Sequence, residues 1–281
     1  MNTDITDTTD TTKGHEPIPV LDHGFVRLVD SMGTDVDIVR AARVSYDAAW
    51  RAGENEGSDT RLLNYLLRNK HTTPFEAVEF QFEVYAPVFV IRQWQRHRTW
   101  TYNELSGRYK PLPEEFYLPE PEDIGVISKD NKQGRDRSEM HPQAAEIFHF
   151  MDRHMKLSVE LANTLRELEV PNELARLVLP MANYTHMFAK VDLHNLLHFL
   201  RLRQHEHAQF EIRQYARALH QIAKEVVPVT MEIFEEISLQ EKSLEEKERT
   251  RWDRELNQRR HHTRHNSTGF WPASQTQARK S

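Results

Sequence analysis

The chain has 281 residues and carries 37 Lys plus Arg against 43 Asp plus Glu, a formal net charge of -6. No global positive field therefore gathers nucleic acid, and any anion site must be local. Cysteine is absent, which excludes disulfides, thiolate metal sites and a cysteine nucleophile. The hydrophobic share of 38% supports a core for one large domain or two small ones. No apolar run reaches the length of a membrane span, and MNTDITDTTDTTKGHEP lacks the basic and apolar regions of a signal peptide, so a cytoplasmic protein is expected.

Residues 1–20 are rich in Thr and Asp and have too few large apolar side chains to offset their ordering entropy, so they read as a disordered tail. Phe25 to Asp30 has strand composition. Thr34 can cap a helix to about Ala48, with Val36, Val39, Ala42 and Val44 as a partial apolar stripe and Arg40 and Arg43 as surface charge. Ser58 can cap a second helix that turns Leu62, Leu63, Leu66 and Leu67 inward and ends near Lys70. His71, Thr72 and Thr73 then precede Pro74, which disfavours helix before it and leaves hydroxyls and backbone for a ligand. Val78 to Tyr85, VEFQFEVY, alternates as a strand with one apolar face. Pro87 suits the first turn of a helix that carries Val88, Phe89 and Ile91 inward and delivers Gln93 and Arg96 to the next segment.

That segment, Arg96 to Tyr109, reads RHRTWTYNELSGRY. Its density of hydrogen-bonding groups exceeds what a packed core absorbs without partners, so it reads as a binding site. If Arg96, His97 and Arg98 are extended, the two arginines share a face and form a fork for an anion, with His97 on the other face. If these three form a last helical turn, the same cations complement the helix dipole. Ser106 and Gly107 followed by Arg108 would seat a phosphate with backbone N–H groups, a hydroxyl and a guanidinium. Trp94 and Trp100 would either stack on a flat ring or simply pack.

Glu120 to Ser138 reads as a polar surface loop. His141 to Glu169 reads as a long helix with Ile147, Phe150, Met151, His154, Leu157, Leu161 and Leu165 facing the core. Pro171 opens a short helix in which Arg176 sits among leucines and needs an anion, either an internal carboxylate or a bound phosphate. Tyr184 to Val191 reads as a second strand, and Asp192 can cap the helix LHNLLHFLRLR. His194 and His198 share a face of that helix and, with His205 and His207, would suit a metal-dependent nucleotide hydrolase. Arg203, always charged, can stabilise negative charge developing on a pyrimidine, or can pair with Glu206 or Glu211. His207 to Ser238 reads as a helix bent at Pro228. Residues 240–281 form a charged, partly helical or disordered extension whose basic cluster would suit a nucleic-acid-binding module. Residues 21–239 show neither a repeat nor a linker and read as one domain, and neither a P-loop nor GxGxxG occurs.

The spacing Arg96-His97-Arg98, seven residues, Ser106 resembles the signature of the flavin-dependent thymidylate synthases, with Thr101 where the longer family pattern has Ser. The resemblance extends through DHGFVRLVDSMGTD, VRAARVSYD, HTTPFE, ARLVLP and HAQFEIRQYA. It implies an α+β fold with an antiparallel sheet and flanking helices, assembled as a homotetramer with shared active sites. It implies conversion of dUMP to dTMP with FAD, NADPH and 5,10-methylenetetrahydrofolate, releasing tetrahydrofolate, and no nucleic-acid or membrane partner. It assigns Arg203 to uracil activation. Thr73, Arg96, His97, Arg98, Glu104, Asp192, Leu193, His194 and His198 go to FAD, with Ser45 and His71 as further contacts. Gln93, Trp94, Gln95, Arg96, Glu104, Leu105, Ser106, Gly107, Arg108, Arg176 and Arg203 go to dUMP. Relatives that carry Asn, Arg and Asn in place of Asp192, His194 and His198 mark those three as variable positions.

Overall fold

The alternating stretch around Phe80 and Phe82 becomes the middle of a five-stranded antiparallel sheet. In chain order its strands are β1 (Ile18–Val20), β2 (Gly24–Met32), β3 (Glu79–Pro87), β4 (Thr101–Glu104) and, after a hairpin of β5 (Gly125–Ile127) and β6 (Arg135–Met140), β7 (Tyr184–Asp192). The order across the sheet is β1-β2-β3-β7-β4. β3 and β7 pair along their whole lengths, from Glu79 opposite Asp192 to Pro87 opposite Tyr184. The helices are α1 (Asp35–Arg43), α2 (Glu56–Arg68), α3 (Val88–Trp94), α4 (Ala144–Glu167), α5 (Asn172–Ala175), α6 (Leu193–Arg203) and α7 (Phe210–Val226). The computed structural model describes residues 15–129 and 131–241, with 243 and 247. Two units are distinguished, Met1–Phe234 and Glu235–Ser281. Residues 1–14 and most of the extension expected over 240–281 lie outside the described residues.

Strand alternation puts Val26, Leu28, Phe80, Phe82, Val84, Met187, Ala189 and Val191 on a buried face, with Leu196, Phe199, Leu200, Ile212, Tyr215 and Leu219 of α6 and α7 also in the core. Two devices fix the helices beneath the sheet. Asp192 caps α6, its side chain accepting from the Asn195 N–H at 2.9 Å. Asp35 accepts from the N–H groups of Val229 and Thr230, both at 3.0 Å, where the chain resumes as helix after a break at Val227.

Several expectations change. Ile18–Val20, inside the segment read as tail, pairs with β2 and buries Val20. α1 stops at Arg43, because a 3-10 turn over Val44–Tyr46 and a left-handed Asp47 follow; Val36 and Val44 are exposed. Asn55, not Ser58, caps α2, with Asn55 Oδ1 accepting from the Ser58 N–H at 2.9 Å. Arg43 is not free surface charge. It pairs with the buried Asp59, whose other oxygen accepts from the Gly53 N–H at 2.7 Å. Arg40 is exposed and pairs with Asp37. The inward set of α3 is Val90, Ile91 and Trp94. The stretch 120–138 contains β5 and the start of β6. On α4, Phe150, Leu157 and Leu161 face outward, as do Leu174, Leu177 and Met181, and His154 is exposed rather than a core histidine. Periodicity identified the apolar stripe of α4 but not what covers it. No described helix is long and apolar enough to cross a membrane.

Candidate active site

Arg96 to Trp100 leave α3 as a turn, neither strand nor helix, before β4 begins at Thr101. The turn still separates its side chains. His97 is 7% exposed while Arg96 and Arg98 point to solvent. Backbone bonds hold the turn: the His97 N–H donates to the Trp94 carbonyl at 2.9 Å, and the Tyr102 hydroxyl donates to the Trp94 and His97 carbonyls at 3.2 and 2.8 Å. Trp94 and Trp100 meet edge to face, 5.6 Å between centroids, against Phe199. Trp94 is fully buried and its carbonyl is taken up within the turn, so neither its ring nor its backbone is open to a nucleotide. Trp100 is buried too.

Beneath this turn lies the end of α6. The Arg203 Nε–H donates to His97 Nε2 at 3.0 Å, and Arg203 NH2 donates to the Gln93 carbonyl at 2.9 Å. Neither acceptor is charged. The carboxylate partners considered for Arg203 are not used: Glu211 is buried and takes a hydrogen bond from the Tyr117 hydroxyl at 3.0 Å and an ion pair from Arg135 at 2.8 Å. Burial, then the charge of Arg96, lowers the Arg203 guanidinium from its ordinary value. Burial, then Arg203 and His198, lowers the His97 imidazole to about 4, so the ring is neutral at neutral pH. The Gln93 side chain donates to Gln209 Oε1 at 2.7 Å. The sequence reading did not single out Gln209, although it lies in the HAQFEIRQYA run.

The His97 ring is 5.9 Å from that of His198, which opens onto a cleft between the end of α2 and α6. Leu66, Leu67, Phe75 and Leu197 give it apolar walls, and Lys70, His71, Thr72, His194, His198 and Arg201 give it polar and cationic groups, around about 610 Å³ of space open to solvent. Apolar walls with cationic edges suit a flat heterocycle joined to phosphates, and Thr73 begins the 3-10 turn beside Thr72. A flavin fits the chemistry of this donor set. Leu193 is fully buried and donates its N–H to the Val78 carbonyl at 2.8 Å, and Asp192 is engaged in its cap, so both serve here chiefly to set the helix. Arg201 and Lys70 are additions that the sequence alone did not bring to this cleft. No group of three or more His, Asp or Glu placed to hold a metal occurs among the described residues.

The remaining nucleotide candidates form a second patch. A Cβ on Gly107 would lie 3.2 Å from the Arg176 Cδ and 3.2 Å from the Leu112 Cγ, so glycine admits the Arg176 side chain beside the Ser106–Gly107 backbone. Arg108 Nε is 3.5 Å from Glu173 in an exposed pair. Leu105 spends its N–H on the His186 carbonyl at 2.8 Å. Glu104 accepts from the Gln95 amide and the Thr185 hydroxyl, both at 3.1 Å, and stands between the two patches along the chain. Among the described residues no hydrogen bond or ion pair joins Ser106, Arg108 or Arg176 to Arg203, and no histidine or carboxylate bonds the Ser106 hydroxyl.

Known proteins share this arrangement. A family model described as "Thymidylate synthase complementing protein" matches residues 27–229. A flavin-dependent thymidylate synthase of Thermus thermophilus (strain ATCC BAA-163) is 48% identical over 224 residues, 80% of each chain. One from Treponema denticola is 48% identical over 218 residues, 77% of this chain and 80% of that one. The crystal structure of a UMP/dUMP methylase, PolB from Streptomyces cacaoi bound with 5-Br dUMP, superposes with a TM-score of 0.69 at 32% identity, covering 77% of this chain and 97% of that one. With the family's signature turn seated on Arg203 and its pattern matched across the sheet and helices, the chain belongs to the flavin-dependent thymidylate synthase family, the thymidylate synthase complementing proteins.

Proposed function

We propose that the protein converts dUMP to dTMP, with FAD as bound cofactor, NADPH as reductant and 5,10-methylenetetrahydrofolate as carbon donor, releasing tetrahydrofolate. The observation that carries this reading is Arg203: a cation held by His97 and Gln93, with no carboxylate partner among the described residues, whose neighbour His97 lies 5.9 Å from the His198 ring that lines a cleft suited to a flavin. The chain has no cysteine to add to the ring, and no histidine or carboxylate among the described residues activates Ser106 as a nucleophile in its place, so we assign activation of the uracil to the charge of Arg203. Arg203 draws out negative charge as the N3–H ionises, which raises electron density at C5 for attack on the methylene carbon. Ser106, Gly107, Arg108 and Arg176 take the nucleotide phosphate, while Gln93, Gln95, Arg96, Glu104 and Leu105 line the base and sugar. Thr73, His71, Arg96, His97, Arg98, Glu104, Asp192, Leu193, His194 and His198 surround the flavin, which when bound and reduced supplies the hydride that completes the methyl group.

The two patches support a site completed between copies of the chain in a homotetramer. The outward apolar side chains of α4 and the Leu174–Met181 segment supply the surface such an assembly would cover. The solved relative with a dUMP analogue bound supports the choice of nucleotide. The reading is tested by the visible spectrum of the purified protein, followed anaerobically. Bleaching of an oxidised flavin band by NADPH, at a rate altered by dUMP, supports it. A colourless protein that stays colourless with added FAD refutes it.

A further inference from the structure

We infer that His97 is the positioning residue for Arg203: the neutral imidazole, protonated at Nδ1, accepts the Arg203 Nε–H and thereby aims the guanidinium at the nucleotide. The inference rests on the proposed role of Arg203 and adds to it a role for His97 apart from any flavin contact. The geometry is specific. The contact is 3.0 Å long, His97 is 7% exposed, and the ring is packed 4.7 Å from that of Phe199. The Tyr102 hydroxyl pins the His97 carbonyl at 2.8 Å, which fixes the backbone from which the ring projects.

The choice of acceptor has a chemical consequence. A carboxylate beside Arg203 would neutralise the field that the uracil needs; an imidazole and a carbonyl orient the guanidinium and leave its charge intact. A guanidinium has five N–H donors, and His97 and Gln93 take two of them, which leaves three for substrate. The titratable groups that act on the ring are Arg203 and His198, while Arg96 acts on Arg203. Protonation of His97 would set donor against donor across the contact, and burial with the neighbouring charge keeps that proton off until about pH 4.

The test uses the full chain with FAD bound and compares His97→Leu with His97→Gln, whose Oε1 accepts from nearly the same place without titrating. The two readouts are NADPH-driven flavin bleaching and dUMP-dependent turnover, the latter as C5-hydrogen release and dTMP formation. His97→Leu is expected to lower dTMP kcat per bound flavin about 100-fold, and His97→Gln to recover at least ten-fold of that loss. Turnover falling only in step with flavin content, or equal turnover in both variants, overturns the positioning role. Histidine 15N spectra of the parent protein give an answer independent of how the variants fold: a neutral His97 bearing its proton on Nδ1 supports the inference, and a proton on Nε2 overturns it. A parent protein that binds FAD but makes no dTMP would instead defeat the proposed function.

Discussion

Gly24 allows the sheet and α7 to meet, and Gly24→Ala tests that contact. A Cβ at this position would lie 2.0 Å from the Tyr215 Oη, 2.6 Å from the Val20 carbonyl oxygen and 2.8 Å from the Tyr85 carbonyl oxygen. The first contact can be relieved only by displacing a hydroxyl that donates to the Tyr85 carbonyl at 2.9 Å from a fully buried ring. The other two involve the backbone of the strands flanking β2. Overpacking costs about 1–3 kcal/mol, and the lost hydrogen bond adds about 1 kcal/mol, so a destabilisation of about 3 kcal/mol is expected in urea unfolding monitored by tryptophan fluorescence. In a Tyr215→Phe background the hydroxyl clash is gone and the carbonyl clashes persist. The penalty of Gly24→Ala should then shrink by about 1–2 kcal/mol without vanishing, a coupling that a double-mutant cycle reads directly. A loss under about 0.5 kcal/mol, or strict additivity with Tyr215→Phe, would refute this view of how α7 is seated.

Asp35→Ala removes the acceptor for the N–H groups of Val229 and Thr230 and should cost about 1–2 kcal/mol in the same assay; no change would contradict the cap. His97, lowered in the folded protein from its ordinary 6.5 to about 4, contributes stability that is fully present above the unfolded value. That contribution is lost as pH falls from 6.5 to about 4, because the unfolded chain binds the proton first. The loss is about 3 kcal/mol at the limit, and His97→Gln should flatten this part of the stability profile. Arg203→Lys presents a single ammonium to the two acceptors and should lower dTMP kcat by about 100-fold or more, while NADPH still bleaches the flavin. Leu157→Glu places charge on the outward apolar stripe of α4 and should shift the mass seen by light scattering from that of the proposed tetramer toward smaller folded species.

Much of the scaffold was legible because its signals are local. The alternation of β3 and β7 follows from side-chain period, and the Asp192 cap follows from an acid before an apolar helix. What escaped depends on partners distant in sequence. Arg43 looked like surface charge because Asp59 belongs to another helix. Glu83 sits on the polar face of β3, yet it is buried between Arg27 and His186, with the Arg27 Nε and His186 Nε2 each 2.7 Å away. The β5–β6 hairpin is too polar to announce strands. In the site, the signature named the turn, but the sequence did not show that its imidazole faces inward onto Arg203, or that Gln209 holds Gln93 from across the fold. Trp94, assigned to the nucleotide by the resemblance, serves the core.

The most direct measurement of the central claim is product analysis after anaerobic incubation of the FAD-bound protein with NADPH, 5,10-methylenetetrahydrofolate and dUMP. Expected is dTMP formed with one NADPH consumed per molecule of product and tetrahydrofolate released, and no dTMP when FAD or NADPH is omitted. dUMP recovered unchanged while the flavin is reduced, or dTMP formed without flavin, would contradict it.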